Sequence, residues 1–249
     1  MSLPKCSKVS YFLCNIFISF ADVAVVALTS YIIYNLEQYK VFLPRIWLGP
    51  LALFIVLNII QCFAFWKGFC AIVKENNTLI LMLCASIIFN SIFDVFIALW
   101  TMLIRDNINA DINKIMTNSF INYTKNQYKK EEWNMIQMQL QCCGIDGPIS
   151  YSKYVDFVPI ACCNTTTNGN SICEGGTFYK NSCLQALHSL TKEQLFYFIL
   201  IVLLFVIIQI LGIAVFCHLK AILSKCDKST LSPSSPSERK ALNKKSLDI

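Results

Sequence analysis

The sequence predicts an all-α integral membrane protein: four transmembrane helices, with a disulfide-bonded and mainly helical large extracellular loop between the third and fourth. Three observations carry this. The 249-residue chain is 55% hydrophobic and only 14% charged, which leaves too little polar surface to cover a soluble globule. Four runs of at least 20 residues, Phe12–Tyr34, Ile46–Trp66, Leu79–Ile104 and Leu195–Cys217, are long and apolar enough to cross a bilayer; as helices each reaches about 30 to 40 Å, against a hydrocarbon core of about 30 Å. Six of the 13 cysteines gather in one connection. The apolar content excludes disorder over most of the chain. No segment joins a dense basic face to stacking aromatics, which argues against nucleic acid as a partner. The first run is too long for a secretory signal, and no small-residue cleavage site follows it.

The elements follow in order. Residues 1–11 form an N-terminal arm with Lys5 and Lys8 and no acid, 12–34 the first span, 35–45 a small extracellular loop, 46–66 the second span and 67–78 a cytoplasmic loop. Residues 79–104 are the third span, 105–194 the large extracellular loop, 195–217 the fourth span and 218–249 a cytoplasmic tail. The tail holds seven Lys/Arg against three acids, a bias that with the basic arm places both termini in the cytoplasm. The large loop, with eight of each sign, does not oppose that orientation. Ser229 to Pro236 and the basic run Arg239 to Lys245 have the composition of a disordered segment suited to anionic lipid or an adaptor.

Cys142, Cys143, Cys162, Cys163, Cys173 and Cys183 lie in the large loop. A domain this small has a thin core, so cross-links that restrict its unfolded state are useful, and an oxidising exterior permits them. Zinc is the weaker reading, because adjacent Cys-Cys pairs lack the CxxC spacing that converges on one ion. Spacing leaves the pairing open. Trp133, Ile136, Leu140 and Cys143 recur at i, i+3, i+7 and i+10, one apolar helical stripe running into the cysteine pair. Gly144 stands where a chain leaving a helix often needs positive φ, and is expected to stop that helix. Residues 145–182 are rich in Gly, Asn, Ser, Thr and aromatics, an irregular surface rather than a packed helix. Tyr151, Tyr154, Phe157, Phe178 and Tyr179 offer rigid contact area for a partner, although some of these rings must also fill the core. Asn122 and Asn164 open sequons on the oxidising side, while the sequon at Asn76 faces the cytoplasm.

Within the membrane, Asn15, Ser19, Asp22, Val26 and Thr29 form one polar and small stripe that should face other helices. Asn90 and Asp94 repeat the idea in the third span, Asn58 and Gln61 in the second, Gln209 and Gly212 in the fourth. Asn58, Asn90 and Gln209 are expected to hydrogen-bond with one another and with protonated aspartates, each contact adding about 0.5 to 2 kcal/mol. Asp22 and Asp94 also admit an alternative, a small transporter or proton conductor, since an ionisable residue in lipid marks function by default. Against it, no Lys or Arg lies in the spans and no broken-helix pattern occurs. Cys6, Cys70, Cys217 and Cys226 sit near the cytoplasmic ends of the spans, within reach of S-acylation, whereas Cys62 and Cys84 lie deeper and read as small buried apolar residues.

Several of these residues together resemble the tetraspanin family, specifically its members with six cysteines in the large extracellular loop. Trp133 to Gly144 resembles that family's helix entering its Cys-Cys-Gly signature, and Pro159 to Cys163 stands in place of its Pro-x-Ser-Cys motif. Cys6 to Lys8 with Phe12 and Asn15, and Gly68 to Asn76, match outside the loop. The resemblance implies that Cys142 pairs with Cys183, Cys143 with Cys162 and Cys163 with Cys173. It further implies a bound cholesterol or lipid whose hydroxyl meets Asn15 and Gln209, and membrane-protein partners, including adhesion receptors and other tetraspanins, recognised through residues 145–182.

No enzyme signature is present: His188 and His218 stand apart from any nucleophile motif, and no phosphate loop or HExxH pattern occurs. A claudin-like or connexin-like junction protein is disfavoured, because its cysteines would lie in the first outer loop, here 35–45 without cysteine. The expected function is non-enzymatic organisation of plasma-membrane and endosomal proteins into patches for adhesion, trafficking or signalling.

Overall fold

The computed structural model describes residues 5–73, 77–123, 127–153, 158–163 and 178–230. It is built from helices α1 (Lys5–Glu37), α2 (Leu48–Val73), α3 (Asn77–Ile121), α4 (Gln127–Leu140) and α5 (Cys183–Thr230), with short 3-10 turns at Arg45–Trp47, Pro148–Lys153 and Ile160–Cys162. Four of these, all but α4, are long and apolar enough to cross a membrane. The helices outrun the apolar runs that define the spans. α3 continues through Ile121 and α5 begins at Cys183, so the large loop starts and ends as helix. At its far end α5 continues to Thr230, where polar composition predicted irregular chain from residue 218; residues 231–249 lie outside the described residues.

Burial follows a heptad. On α1 the buried positions are Asn15, Ile18, Asp22, Val25, Thr29, Ile32 and Leu36, alternating steps of three and four. That mean period of 3.5 keeps one narrow face toward neighbouring helices. α2 repeats it with Leu51, Phe54, Asn58, Gln61 and Phe65, and α5 with Leu195, Phe198, Val202, Phe205 and Gln209. Of the polar stripe expected on α1, Asn15, Asp22 and Thr29 lie on this seam, while Ser19 and Val26 fall one position beside it and are only half-buried. Packing divides the chain into two compact units, one from Met1–Val23, Ile60–Ser91 and Val206–Ile249, the other from Ala24–Ile59 and Ile92–Phe205.

The second unit contains the loop domain. Beyond the apolar run, α3 buries Ile108, Ile112, Met116 and Phe120, one residue per turn. Phe120 meets Trp133 of α4 edge-on at 4.9 Å between ring centroids and Tyr151 at 5.0 Å. The short connection between α1 and α2 joins this core, because Phe42 packs edge-on against Trp133 at 5.3 Å. The Trp133 indole N–H donates to Ser119 Oγ at 3.2 Å, satisfying the polar edge of a ring that is otherwise enclosed.

α4 ends before its glycine. Gln141, with φ of 51°, takes the left-handed position, and the Cys142 N–H returns to the Gln137 carbonyl at 3.1 Å, the six-to-one bond of a Schellman cap. Gly144 is left-handed as well (φ 57°), but it opens the following turn rather than stopping the helix. A Cβ there would lie 2.6 Å from the Gly147 carbonyl oxygen and 2.9 Å from Ser150 Cβ. The two glutamine and glycine positions thus predict opposite outcomes. Gln141→Gly removes a left-handed side chain and should stabilise the fold by about 0.5 to 1 kcal/mol, read as a higher midpoint of thermal unfolding. Gly144→Ala should cost about 1 to 3 kcal/mol through backbone collision. Melts of the purified protein under non-reducing conditions compare them directly.

Candidate functional site

Two regions gather the residues singled out from the sequence: the polar seam of the membrane helices and the cross-linked loop domain. In the first unit the seam joins helices to one another. Asn15 Nδ2 donates to the Phe65 carbonyl at 3.3 Å, linking α1 to α2, and Gln61 Nε2 donates to Ser86 Oγ at 3.3 Å, linking α2 to α3. Gln209 of α5 accepts from the Ser91 hydroxyl of α3 at 2.6 Å. In the second unit Thr29, Asn58 and Thr101 each donate to the carbonyl four residues earlier on their own helix at 2.8 Å. Contact between α2 and α5 is aromatic there, Phe54 lying edge-on to Phe198 at 5.5 Å and to Phe205 at 6.3 Å. Asn58 thus donates to its own helix, and Gln209 accepts from Ser91. Asp22 and Asp94 are fully buried, the first in one unit and the second in the other.

Beside α1 and α2 in the first unit lies a recess of about 390 Å³ lined by Asn15, Ser19, Cys62, Phe65 and Trp66 among others. Asn15 Oδ1 is buried without a hydrogen-bond partner among the described residues. Asn15 is part of the recess lining, whereas Gln209 is not. Cys217 carries an exposed thiol and Cys62 a half-buried one. The side chains of Cys6, Cys70 and Cys226 lie outside the described residues.

In the loop domain, Cys142 at the end of α4 is bonded to Cys183 at the start of α5, with Cα atoms 4.9 Å apart, and Cys143 to Cys162, 5.0 Å apart. Closing loops of 41 and 19 residues restricts the unfolded chain by about 4 and 3 kcal/mol in the chain-entropy view. Cys163 is also disulfide-bonded; Cys173 lies outside the described residues. Backbone bonds run beside the sulfurs: Cys143 N–H to the Asn181 carbonyl and Cys183 N–H to the Gly144 carbonyl, both 3.0 Å. Ser182 caps α5, its Oγ accepting the Gln185 N–H at 3.2 Å and donating to the Ile145 carbonyl.

The aromatics expected at a partner surface divide. Tyr151 is 1% exposed, a correction to its expected partner-facing role: it fills the core between Phe120 and Tyr123. Its hydroxyl accepts from Gln137 Nε2 and bonds the Tyr123 hydroxyl, so the ring cannot turn outward without stranding buried polar groups. Phe178 is exposed and Tyr179 half-buried at the edge of a one-pair bridge between Phe178 and Cys163. Tyr154, Phe157 and Asn164 lie outside the described residues. Asn122 is exposed at the end of α3.

These features define a class: a multi-pass helical membrane protein with a large loop cross-linked within itself and tied by one disulfide to the start of its last membrane helix. The tetraspanin family model matches residues 7–221, and the chain belongs to the tetraspanin family. It is 24% identical over 215 residues to the 23 kDa integral membrane protein of Schistosoma japonicum, covering 86% of this chain and 92% of that one. Tetraspanin-36 of Danio rerio is 23% identical over 220 residues, 85% of this chain and 90% of its own. Human leukocyte surface antigen CD53 is 30% identical over 111 residues, 45% of this chain and 50% of its own. Tetraspanins are non-enzymatic.

Two predictions follow from the two regions. Burial holds the Tyr151 phenol well above its ordinary range, so the folded protein favours the neutral ring. That contribution is complete below about pH 10, the unfolded value, and is lost as pH rises through the folded one. Melting temperatures measured from pH 8 to 11 should fall less steeply in Tyr151→Phe than in the unaltered protein. In the bundle, a double-mutant cycle of Ser91→Ala and Gln209→Ala should return a coupling of about 0.5 to 1.5 kcal/mol in bilayer unfolding measurements; zero coupling would remove the α3–α5 bond from the stability of the fold.

Proposed function

We propose that this tetraspanin is a lateral organiser that binds partner membrane proteins, adhesion receptors and other tetraspanins among them, and gathers them into patches for adhesion, trafficking or signalling. One observation supports this most directly. The junction of α4 and α5 clasps the two ends of residues 145–182 through Cys142–Cys183 and ties Cys162 within the segment to Cys143, so the segment is presented from a cross-linked base. Phe178 and Tyr179, together with Tyr154 and Phe157, are the contact residues of that segment, and Tyr151 its anchor. Leukocyte surface antigen CD53, a relative, is by its name a cell-surface protein, which supports plasma-membrane residence; the basic arm and tail support a large loop outside and both termini cytoplasmic.

In this reading Cys163 pairs with Cys173, completing the six-cysteine form, and Asn122 and Asn164 carry glycans. Cys6, Cys70, Cys217 and Cys226 are the acylation sites. A sterol or lipid hydroxyl donates to the unused Asn15 acceptor, with Gln209 contributing only after leaving Ser91.

Crosslinking mass spectrometry in mild detergent tests the proposal. A chimera in which residues 145–182 are replaced by an unrelated loop, with Tyr151 and the cysteines retained so that the core persists, should lose most crosslinked partners. An unchanged partner set rules the segment out as the recognition surface.

A further inference from the structure

Arg105 is the first charged residue after the apolar run Leu79–Ile104, and Lys192 and Glu193 are the last before the run Leu195–Cys217. α3 and α5 therefore pass from hydrocarbon to headgroup at one level, and they touch there. Arg105 Nε donates to the Lys192 backbone carbonyl at 3.2 Å, and its guanidinium carbon sits 5.5 Å from the centroid of Phe196. An arginine at a membrane boundary ordinarily snorkels into water. This one is held over a half-exposed ring at the start of an apolar run. Both Nη groups, a planar fork of four N–H donors, meet no acceptor among the described residues, and no carboxylate there lies within ion-pair distance of the side chain.

We propose that Arg105, with Phe196 beneath it and Glu193 beside it, forms a binding site for the headgroup of a zwitterionic phospholipid. The fork matches the two free oxygens of a phosphodiester, the ligand geometry for which arginine is suited and lysine is not. Local charge selects the headgroup class. Arg105 and Lys192 are offset by Asp106 and Glu193, two cations against two carboxylates, so the shelf has no net attraction for an anionic lipid. Glu193, one turn before Phe196, accepts from the Tyr197 hydroxyl at 2.9 Å and supplies a carboxylate for a choline or ethanolamine group. The lipid bridges α3 and α5 where the loop domain leaves the membrane. Its assignment to the outer leaflet rests on the orientation proposed above; the site itself does not.

Native mass spectrometry of the full chain, purified in mild detergent and challenged with defined lipids, tests this independently of orientation, which protease protection in intact cells measures separately. Phosphatidylcholine should remain bound to the unaltered protein. Its apparent affinity should fall about tenfold or more in Arg105→Gln, the loss expected for one charge-assisted bidentate contact, and partway in Arg105→Lys. Arg45→Gln, which removes an exposed cation near the start of α2, should leave it unchanged. Circular dichroism melts and intact disulfides establish that each variant is folded, and the lysine variant reads the site even if the glutamine variant does not fold. Equal retention in the Arg105 variants, an equal fall in Arg45→Gln, or equal binding of a phosphate-free galactolipid overturns the site. Displacement of the lipid by millimolar inorganic phosphate marks a free-anion site and overturns the lipid, and a preference for phosphatidylserine overturns the zwitterionic headgroup.

Discussion

The adjacent sulfurs at the end of α4 are the constraint on which the loop domain depends. Cys142 and Cys143 are consecutive, so in extended chain their side chains leave on opposite sides, and each reaches a different target: Cys183 at the start of α5 and Cys162 in the following loop. That divergence requires α4 to have ended already. The left-handed Gln141 and the six-to-one bond behind it end it two residues short of the pair. Without that cap the two sulfurs would be separated by about 100° on one helix, too little for two bonds in unrelated directions. The cost of a side chain in left-handed conformation is set against two cross-links and the bonds beside them.

Much of the architecture could be read from the amino acids. Hydrophobic length alone identifies four membrane helices, because lipid tolerates few other solutions for an exposed backbone. Trp133 and Ile136 of the α4 stripe are buried as their spacing implies, Leu140 half so, and the pairs Cys142–Cys183 and Cys143–Cys162 match those that the family resemblance implied. What misled were features fixed by tertiary partners. Glycine is the usual residue at a left-handed helix end, so Gly144 drew the helix stop away from Gln141. Tyr151 has the composition of an interface residue, and only the neighbouring Phe120, Tyr123 and Gln137 make it core. Phe42 lies far from Trp133 in sequence, and no local periodicity announces their contact.

The membrane seam illustrates the same limit. Choosing small and polar residues gave Ser19 and Val26 a place that belongs to Ile18 and Val25, because a 3.5-residue period and a stripe of polarity differ by one position on the same helix face. Polar residues at heptad positions act differently in the two units. Gln61 and Gln209 bond serines on other helices, ordinary residues that sequence inspection passed over. Asn58, Thr29 and Thr101 return to their own backbones. A buried polar residue in a membrane helix is thus no guide by itself to which helix it joins.

The distance along the chain between Cys142 and Cys183 gives the loop domain a timetable. A ribosome delivers Cys142, Cys143 and Cys162 well before the 41-residue gap to Cys183 is complete, so the shorter clasp is available while the fourth membrane helix is still unmade. Phe42, translated earlier still, is already waiting when Trp133 emerges. The last clasp closes only when α5 arrives, which makes the finished domain a chemical record that the final helix has been delivered.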